Sequence, residues 1–443
     1  MSWLQKQFKG DLGVWFIFLF LCLISIIEVF SASSTLSYKT GNHLQPILMH
    51  TVFLVIGAIV VWAVHRINYR VFQLIPFILI PISGILLVVV MLLGVSTNGA
   101  NRWLEIAGVT FQPSELAKMA VVISTAFLLA RNQENGYANG KAFKYILTIA
   151  VIFSGLIFRE NFSTSIILFG VVYLMMFIGR IEFKRMLKLT VAIIIGALCF
   201  LALILLSPNE KPKTEEEEAA KEMLSPENAN QEVDEKEDKS LVTTVLSRFT
   251  TWKGRIHEFT SGEEITPEKY DIDKNGQIAH ARIAISKSNI IGCGPGNSNE
   301  REFLAQAFSD FIFAIIIEEL GLLGGGFVLC LYIWLLVRAG RIAKKARGNF
   351  ASFLVMGLAL LLVMQAMVNM CVAVGLFPVT GQPLPLISKG GTSTIINCVY
   401  IGMILSVSRY TAKLEDEESE HLTQEPDGEI NKAKIIAEEE LDS

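Results

Sequence analysis

The sequence GVWFIFLFLCLISIIEVFSA, residues 13–32, carries one charged side chain in twenty residues. A helix needs about 20 consecutive, predominantly apolar residues to cross the hydrocarbon core of a bilayer. The run is too long for the apolar core of a signal peptide, and similar runs follow it along the chain. These residues therefore predict a retained transmembrane helix.

Nine further apolar runs and the overall composition support this prediction. Hydrophobic residues make up 52% of the chain and charged residues only 18%, whereas a soluble domain averages about 25% charged residues. The further runs lie at 46–64, 72–94, 113–130, 144–158, 164–179, 189–206, 310–337, 351–375 and 393–409. Two of them, 144–158 and 164–179, are short for full spans. The sequence thus predicts an all-α polytopic membrane protein with about ten transmembrane helices.

The distribution of lysine and arginine predicts how the chain is oriented. One set of alternate loops is rich in both residues, which is typical of cytoplasmic loops. These loops contain Arg66 and Arg70; Arg131, Lys141 and Lys144; Arg180, Lys184, Arg185 and Lys188; and Arg338, Arg341, Lys344, Lys345 and Arg347. The other short loops contain little more than Lys39, Arg102, Arg159 and Lys389. We expect the first set and both termini, including residues 1–12, to be cytoplasmic.

Two polar segments lie outside the predicted spans. Residues 207–309 form a large extracytoplasmic loop between transmembrane helices 1–7 (13–206) and 8–10 (310–409). Within this loop, 209–239 is acidic and poor in large apolar residues, so it cannot bury enough surface to fold and is expected to be disordered. Residues 410–443 form an acidic tail, which the predicted topology places in the cytoplasm.

The first polar cluster opens the fourth apolar run, on the expected outer face. Pro113 predicts the first turn of a helix, and Glu115 and Lys118, three residues apart, share one face of it. Lys118 then lies about one turn inside the membrane, where an ionisable residue is by default a functional hypothesis. Lys118 either pairs with Glu115, reaches the lipid headgroups, or joins Arg102 in binding a diphosphate.

A second cluster marks the junction of the large loop with the eighth run. Ser309 and Asp310 belong to the residue types favoured at helix N-caps, so they can cap this helix. Alternatively, Asp310 acts as a base on a lipid-linked substrate. The two roles are compatible, because a helix N-terminus stabilises the carboxylate anion that a base needs. Glu318 and Glu319 lie two turns or more further into the run, where at least one of them needs a partner in the bundle.

A third cluster, FPVTGQPLPLISKGGTS at residues 377–393, contains three prolines and three glycines. This composition excludes a continuous helix. Non-helical backbone at membrane depth persists only against protein or a water-filled cavity. The segment is either an ordinary tight loop or a ligand loop in which the amides of Gly390 and Gly391 hold an anion. Asn369, inside the ninth run, is a buried polar residue that needs a partner.

The three clusters resemble the signature stretches of the SEDS family of bacterial cell-wall polymerases, which includes FtsW, RodA and SpoVE. The first matches Asn98-Gly99-Ala100-x-Arg102-Trp103 with Gln112-Pro113-Ser114-Glu115-x-x-Lys118. The second matches Asp310-Phe311-Ile312-Phe313-Ala314 with Glu318-Glu319-Leu320-Gly321. The third matches Pro378-Val379-Thr380-Gly381 with Leu384-Pro385-Leu386-Ile387-Ser388-x-Gly390-Gly391-x-Ser393. The resemblance covers about residues 13–409.

The resemblance implies a peptidoglycan glycosyltransferase that polymerises lipid II into glycan strands on the outer face of the bacterial cytoplasmic membrane. In this family the acid of the Asp-Phe motif is the catalytic residue, and it corresponds to Asp310. The 4-hydroxyl of an acceptor sugar would attack C1 of a donor sugar whose leaving group is undecaprenyl diphosphate, with Arg102 and Lys118 stabilising that group. The implied substrate site also includes Glu115, Gln112, Ser388, Gly390 and Gly391. The implied supporting residues are Glu302, Arg248, Glu318, Glu319, Asn369 and Glu160.

The sequence departs from the family pattern in several places. The usual Pro-Asp-x-Gly-Thr stretch reads Glu160-Asn161-Phe162-Ser163-Thr164, so a role for an acid there falls to Glu160. The usual Tyr before the two glycines is Lys389, and the usual Pro-Glu-Ala-His before the aspartate is Ala305-Gln306-Ala307-Phe308. No acid or histidine role can be carried over to the latter segment. The insert 209–239 is not a common family feature.

The implied partners are lipid II, a class B penicillin-binding protein transpeptidase and other membrane proteins of the division machinery, with no nucleic acid. A divalent cation, Mg²⁺ or Mn²⁺, is compatible with a diphosphate substrate, although no motif predicts a metal site. The Asn98-Gly99-Ala100 opening and the tail resemble division members (FtsW) more than elongation members (RodA). A lipid II flippase also fits ten spans with intramembrane charges, as does a scaffold. The gathering of the motifs on one face favours an enzyme.

Overall fold

The computed structural model describes residues 9–32, 45–97, 100–106, 109–134, 136–159, 161–206, 254, 276–304 and 309–424. Several features predicted from the sequence lie outside these residues. They are Asn98, Gly99, Glu160, the acidic insert 209–239, Arg248, residues 305–308 and the end of the tail, 425–443. Of Glu302, only the backbone is described.

The described chain is mainly helical. Its helices are α1 (Leu12–Ala32), α2 (Gln45–Val64), a 3₁₀ turn (Tyr69–Leu74), α3 (Ile75–Leu93), α4 (Pro113–Arg131), α5 (Gly140–Phe158), α6 (Phe162–Ile178), α7 (Phe183–Leu206), α8 (Gly276–Lys287), a 3₁₀ turn (Glu300–Glu302), α9 (Ile312–Lys345), α10 (Asn349–Ala373) and α11 (Thr392–Gln424). Strands β1 (Val95–Thr97), β2 (Ala100–Ile106) and β3 (Val109–Phe111) form an antiparallel sheet in that order, and β4 (Gln133–Glu134) pairs with β5 (Tyr137–Ala138).

The predicted fold class is confirmed. Among the described helices, nine are long and apolar enough to cross a membrane, and α6, with 17 residues, is shorter, as its sequence predicts. The prediction of a short fifth span is wrong, because α5 begins at Gly140 and has 19 residues. Its early start follows from Asn139, whose Oδ1 accepts from Lys141 N at 3.0 Å and Ala142 N at 3.1 Å and so caps the helix.

The chain divides into two compact units. One contains the described residues before Phe183 and after Glu264, and the other, Phe183–Glu264, contains α7. In the larger unit, α4 and α10 contact each other and are mostly buried. Helices α1, α2 and α3 expose large apolar side chains such as Phe16, Val55 and Phe77. This pattern is expected of a bundle surrounded by lipid, in which apolar side chains face outward at no cost.

The predicted basic loops that contain Arg66, Arg131 and Arg347 meet at one end of the larger unit, which we call the basic end. There, Arg338 pairs with Asp11, with Arg338 Nε 2.9 Å from Asp11 Oδ1, and Tyr69 OH donates to Arg347 O at 3.1 Å. The opposite end, which contains Asp310 and the non-helical residues 374–391, is called the site end. Helix α11 continues from the bundle to Gln424 at the basic end, so the first part of the predicted tail is helical.

Helix α9 is interrupted at Gly321, whose φ of 72° and ψ of −174° are not helical. This conformation is open to glycine and strained for other residues. Segment 289–294 of the large loop inserts at the break and hydrogen-bonds the backbone groups that it frees, as buried backbone requires. The four bonds are Leu322 N to Asn289 O (3.3 Å), Leu323 N to Ile290 O (3.2 Å), Cys293 N to Glu318 O (3.0 Å) and Gly294 N to Glu319 O (2.8 Å).

The break moves Glu318 and Glu319 to the end of the span. Glu319 accepts a hydrogen bond from Ser31 at the last turn of α1, while Arg338 binds Asp11 just before α1 begins. Helix α1 and the part of α9 after Gly321 therefore cover the same thickness in opposite directions. Residues 312–320 thus form a separate helical segment at the site end, and the two glutamates lie just before the break.

Candidate active site

Asp310 lies at the site end, two residues before α9 begins. The N-cap position of α9 is occupied by Phe311, which makes no side-chain cap bond. The alternative in which Ser309-Asp310 caps the helix is therefore wrong. Asn369 of α10 holds the backbone here, since its Nδ2 donates to Asp310 O at 2.8 Å and to Gln382 O at 2.7 Å. The buried polar residue of the ninth span thus joins two parts of the site.

The two carboxylate oxygens of Asp310 have different surroundings. Ser309 Oγ donates to Oδ1 at 3.0 Å. A Cβ atom placed on Gly381 would lie 3.6 Å from Asp310 Oδ2 and 3.8 Å from Arg102 Nη1. The carboxylate and the guanidinium therefore border the space left by one glycine. Oδ2 is the carboxylate oxygen on this side.

The non-helical loop that the prolines and glycines predict is present at residues 374–391. Ser388, which is 2% exposed, ties this loop to the Asp310 segment: its Oγ donates to Ser309 O at 2.6 Å and accepts from Leu384 N at 2.7 Å. Leu386 has a φ of 66°, a conformation that costs a non-glycine residue about 1–2 kcal/mol. The surrounding contacts must hold the loop against this cost. Ser388 contributes to the site through the backbone that it fixes.

Arg102 lies half-buried on β2, the central strand of the small sheet. This sheet was not predicted, because β1 and β3 have only three residues each and the segment lies between two apolar runs. Thr392 Oγ1, at the start of α11, donates to Thr110 O of β3 at 3.1 Å. The sheet thereby brings the first polar cluster of the sequence against the third.

Lys118 and Glu115 form a buried ion pair on α4. Lys118 Nζ lies 2.8 Å from Glu115 Oε1, and the two side chains are 0% and 6% exposed. The alternative in which Lys118 reaches the headgroups is therefore wrong, and pairing with Glu115 is observed. Tyr400 OH of α11 donates to the backbone O of Glu115 at 3.4 Å. Gln112 precedes α4 as its N-cap residue without a side-chain cap bond. Contact of these groups with a diphosphate stays a prediction.

Gly390 and Gly391 lead into α11. Ser393 donates to Gly390 O through both its N, at 3.0 Å, and its Oγ, at 2.8 Å. A Cβ on Gly390 would lie 2.3 Å from Ser393 Oγ, and Gly391 has a φ of 51°. Gly390 thus leaves room for the Ser393 hydroxyl, and Gly391 has a backbone conformation that favours glycine, while binding of an anion there stays a prediction. Burial lowers the pKa of the neighbouring Lys389.

Glu318 and Glu319 brace segment 294–301 of the large loop. Glu319 accepts from Gly296 N (3.0 Å), Ser298 N (3.3 Å) and Ser31 Oγ, and lies 4.0 Å from Arg301 Nη1; Glu318 accepts from Asn299 N (3.1 Å), Glu300 N (3.4 Å) and Ser298 Oγ. The partners expected within the bundle therefore come mainly from the loop. This network indicates that the two glutamates have a structural role, which is to hold segment 294–301.

The profile of the FtsW/RodA/SpoVE family, described as cell cycle protein, matches residues 12–215 and 240–413. The chain belongs to this family. The match includes all three polar clusters and the ten apolar helices. The family resemblance read from the motifs is therefore confirmed.

Known proteins are similar to this FtsW/RodA/SpoVE protein over most of its length. Stage V sporulation protein E of Bacillus subtilis (strain 168) is 27% identical over 413 residues, which cover 92% of this chain and 99% of the relative. The probable peptidoglycan glycosyltransferase FtsW of Coxiella burnetii (strain RSA 493 / Nine Mile phase I) is 26% identical over 399 residues, 88% of this chain and 94% of the relative. A chain from a structure on the coordination of polymerization and crosslinking by a peptidoglycan synthase complex superposes with a TM-score of 0.64 at 20% identity, covering 91% of this chain and 98% of that chain. It has the same fold.

Several residues that shape the site of this FtsW/RodA/SpoVE protein were not predicted from the sequence. The sequence indicates Ser309 only as a candidate cap and Gly381 only as part of a motif. Gln382 Nε2 donates to Thr164 Oγ1 of α6 at 2.8 Å, which anchors the loop beside Gly381. Arg301 Nη1 donates to Gly296 O at 2.7 Å within the braced segment. The polar character of these residues within apolar or loop sequence was the only available signal.

Proposed function

We propose that this protein is a peptidoglycan glycosyltransferase that polymerises lipid II. One observation carries the proposal: Asp310 Oδ2 and Arg102 Nη1 border the same glycine, Gly381. A carboxylate beside a fixed cation suits a reaction that needs a base for a sugar hydroxyl and a positive group for a departing diphosphate. Membership of the family, in which a relative bears the name peptidoglycan glycosyltransferase, supports the same reaction class.

In the proposed reaction, the acceptor's 4-hydroxyl oxygen forms a bond to C1 of the donor sugar. The bond between C1 and the diphosphate oxygen breaks, and undecaprenyl diphosphate leaves with the electron pair. The hydroxyl proton passes to Asp310 Oδ2, because a carboxylate accepts this proton as bond formation makes it acidic. Oδ1 accepts a hydrogen bond from Ser309, and Oδ2 is the oxygen that borders Gly381.

The cationic groups would stabilise the departing diphosphate. The guanidinium of Arg102 offers a planar fork that matches phosphate oxygens. Lys118 supplies a positive charge held by Glu115 in a buried pair, where charges act more strongly than in water. The amides at Gly390 and Gly391, at the N-terminus of α11, add partial positive charge. Together these groups would offset the charge that develops on the leaving diphosphate.

A divalent cation would assist the same leaving group. Among the residues that the structure describes, no three His, Cys, Asp or Glu side chains form a metal cluster. Mg²⁺ commonly binds through one or two carboxylates and substrate phosphates, so the diphosphate itself would supply most ligands here. No step of the proposed reaction depends on this ion.

The site end faces outward in this proposal. The basic loops gather at the opposite end, and such loops stay in the cytoplasm of membrane proteins. The protein would therefore act at the outer surface of the bacterial cytoplasmic membrane, with a class B penicillin-binding protein and other membrane proteins of the division machinery as partners. The structural similarity to a chain of a peptidoglycan synthase complex supports such an assembly. A role in septal synthesis follows the FtsW-like motifs.

The test is polymerisation of labelled lipid II by the purified full-length protein, alone and together with the class B penicillin-binding protein of the same organism. Asp310→Asn keeps the size of the side chain and removes the base, so we expect a loss of at least about 100-fold in rate, as for a general base. Glu105→Gln removes an exposed carboxylate from β2, three residues from Arg102, and is the matched control.

Three results would overturn the proposal. If Asp310→Asn polymerises as fast as the wild type, Asp310 is not the base. If wild type and variant both make no glycan, while lipid II labelled in one leaflet of a vesicle reaches the other, the protein is a flippase. If neither activity is found with the partner present, the protein is a scaffold.

A further inference from the structure

A buried pair of polar side chains, His50 of α2 and Ser25 of α1, contacts the non-helical loop at residues 374–391. Ser25 Oγ donates to Ile387 O at 2.7 Å, and the same Oγ lies 2.8 Å from His50 Nε2. A hydroxyl has one proton, and here Ile387 O takes it. His50 Nε2 must therefore donate to Ser25 Oγ, which selects the tautomer with hydrogen on Nε2.

Among the described residues, His50 makes no side-chain hydrogen bond other than the one to Ser25. The side chain is 2% exposed, and its Nδ1 has no hydrogen-bond partner among the described residues. Leaving a polar atom buried without a partner is unfavourable, and an apolar side chain would fill the position without that cost. The contribution of the imidazole therefore lies in its bond to Ser25.

The carbonyl that Ser25 holds is next to a strained residue. Leu386 adopts a φ of 66°, and such a conformation persists only where its surroundings determine it. Tyr332 OH of α9 donates to Pro385 O on one side, and Ser25 Oγ donates to Ile387 O on the other. The two hydroxyls thus fix the backbone on both sides of Leu386.

From Ile387 the bonds continue to the proposed base. The next residue, Ser388, donates from Oγ to Ser309 O at 2.6 Å, and Ser309 Oγ donates to Asp310 Oδ1 at 3.0 Å. We propose that His50 and Ser25 are positioning residues that fix the Ile387 carbonyl and, through Ser388 and Ser309, the orientation of Asp310. This proposal rests on the proposed function, in which Asp310 is the base.

The serine is tested with an isosteric pair. Ser25→Thr and Ser25→Val add similar volume, but only threonine keeps the hydroxyl. Because small misplacements of a catalytic group lower the rate strongly, we expect Ser25→Val to lower kcat for lipid II polymerisation about tenfold with KM changed less than about twofold. Ser25→Thr should stay within about threefold of the wild type in the same assay.

The histidine is tested with variants that place the donor differently. Glutamine at position 50 carries its amide nitrogen near the place of Nε2, whereas asparagine carries it near Nδ1. We expect His50→Gln to retain most of kcat, and His50→Asn and His50→Leu to lose about tenfold. The double variant Ser25→Val/His50→Leu should be no slower than the worse single variant, because both changes break the same series of hydrogen bonds, called the relay, that runs from His50 to Asp310.

Hydrogen exchange of residues 382–388 gives a readout that does not depend on catalysis. Protection of this loop should fall in Ser25→Val and His50→Leu and be kept in Ser25→Thr. Equal behaviour of the Thr and Val variants in both assays, or additive losses in the double variant, would overturn the positioning role. If the wild type does not polymerise lipid II, the proposed function fails, whereas the exchange data still decide whether the relay holds the loop.

Discussion

At the scale of single residues, variants of the buried pair Glu115–Lys118 distinguish an effect on stability from an effect on substrate binding. Removing one partner leaves a buried charge without its counter-charge, which costs about 3–5 kcal/mol. We expect Lys118→Met and Glu115→Gln each to lower the thermal unfolding temperature clearly, while the neutral double variant lies nearer the wild type. If Lys118 also binds the diphosphate, the double variant will be folded but will have lost most of its lipid II turnover.

The control for this pair is Lys141→Met, which removes an exposed lysine from α5. A surface change of this kind is expected to alter the free energy of unfolding by no more than about 0.5 kcal/mol. A double variant that is both folded and fully active would limit the role of Lys118 to pairing with Glu115.

Glu300 provides a pH-dependent test at the same scale. Burial by itself raises the pKa of Glu300, but hydrogen bonds from Lys287 (2.6 Å) and His280 (2.7 Å) outweigh it and hold the pKa below the ordinary value of 4.5. The lowered pKa means that Glu300 stabilises the loop above pH 4.5 and loses this effect as the pH falls through its folded pKa. The same bond raises the pKa of Lys287, so its contribution is complete at neutral pH and is lost only in strongly basic solution.

We therefore expect Glu300→Gln to unfold at a lower temperature than the wild type at neutral pH. The difference should shrink as the pH is lowered below 4.5, since the wild-type carboxylate then becomes protonated. Lys287→Met, which leaves the His280 bond in place, should have a smaller effect. A difference that stays constant down to acidic pH would show that Glu300 acts through shape and not through charge.

At the scale of the element, the break in α9 depends on two glycines that approach each other. A Cβ on Gly321 would lie 2.3 Å from Ile290 O, and a Cβ on Gly292 would lie 2.4 Å from Glu319 O. Gly321→Ala adds the cost of a positive φ, about 1–3 kcal/mol. Both Gly321→Ala and Gly292→Ala would push segment 289–294 out of the break. We expect each variant to unfold at a clearly lower temperature and to expose residues 289–301 to limited proteolysis.

Gly326, five residues further along α9, is the matched control. A Cβ there would meet nothing within 4 Å, and alanine favours a helix over glycine by up to about 1 kcal/mol. Gly326→Ala should therefore be neutral or slightly stabilising. If Gly321→Ala behaves like Gly326→Ala, the inserted segment does not hold the break.

At the scale of the whole molecule, the orientation in the membrane can be read from one cysteine. Cys293 is exposed in the large loop, whereas the other five cysteines lie in apolar helices. Burial and the nearby Glu318 and Glu319 raise the pKa of the Cys293 thiol, so labelling is best done in mildly basic buffer. We expect a membrane-impermeant maleimide to label Cys293 on intact spheroplasts.

The opposite end gives the complementary measurement. In a Cys293→Ser background, Lys345→Cys places a thiol at the end of α9 near the basic loops and should react only after the membrane is opened. Labelling of Lys345→Cys before permeabilisation would reverse the predicted orientation and contradict the outward-facing site.

The sequence by itself determined the spans, the gathering of the basic loops at one end and the residue types of the three polar clusters. These features depend on the length and composition of local segments, and both can be read directly from the sequence. Even so, the local pattern did not predict the β1–β3 sheet, because β1 and β3, with three residues each, are too short to show the alternation of a strand. It also left three roles open for Lys118, since a spacing of three residues allows a pair without requiring one.

Only the tertiary structure decided which groups meet. The approach of Asp310, Arg102 and Gly381, the break at Gly321 and the relay from His50 each join residues that are distant in the chain. Such contacts depend on how helices pack and on which groups bond to the backbone atoms that a break frees. Neither can be predicted from the hydrophobic periodicity of a single segment. The physical reason is that a buried polar group can be satisfied by any segment that folding brings within hydrogen-bond distance.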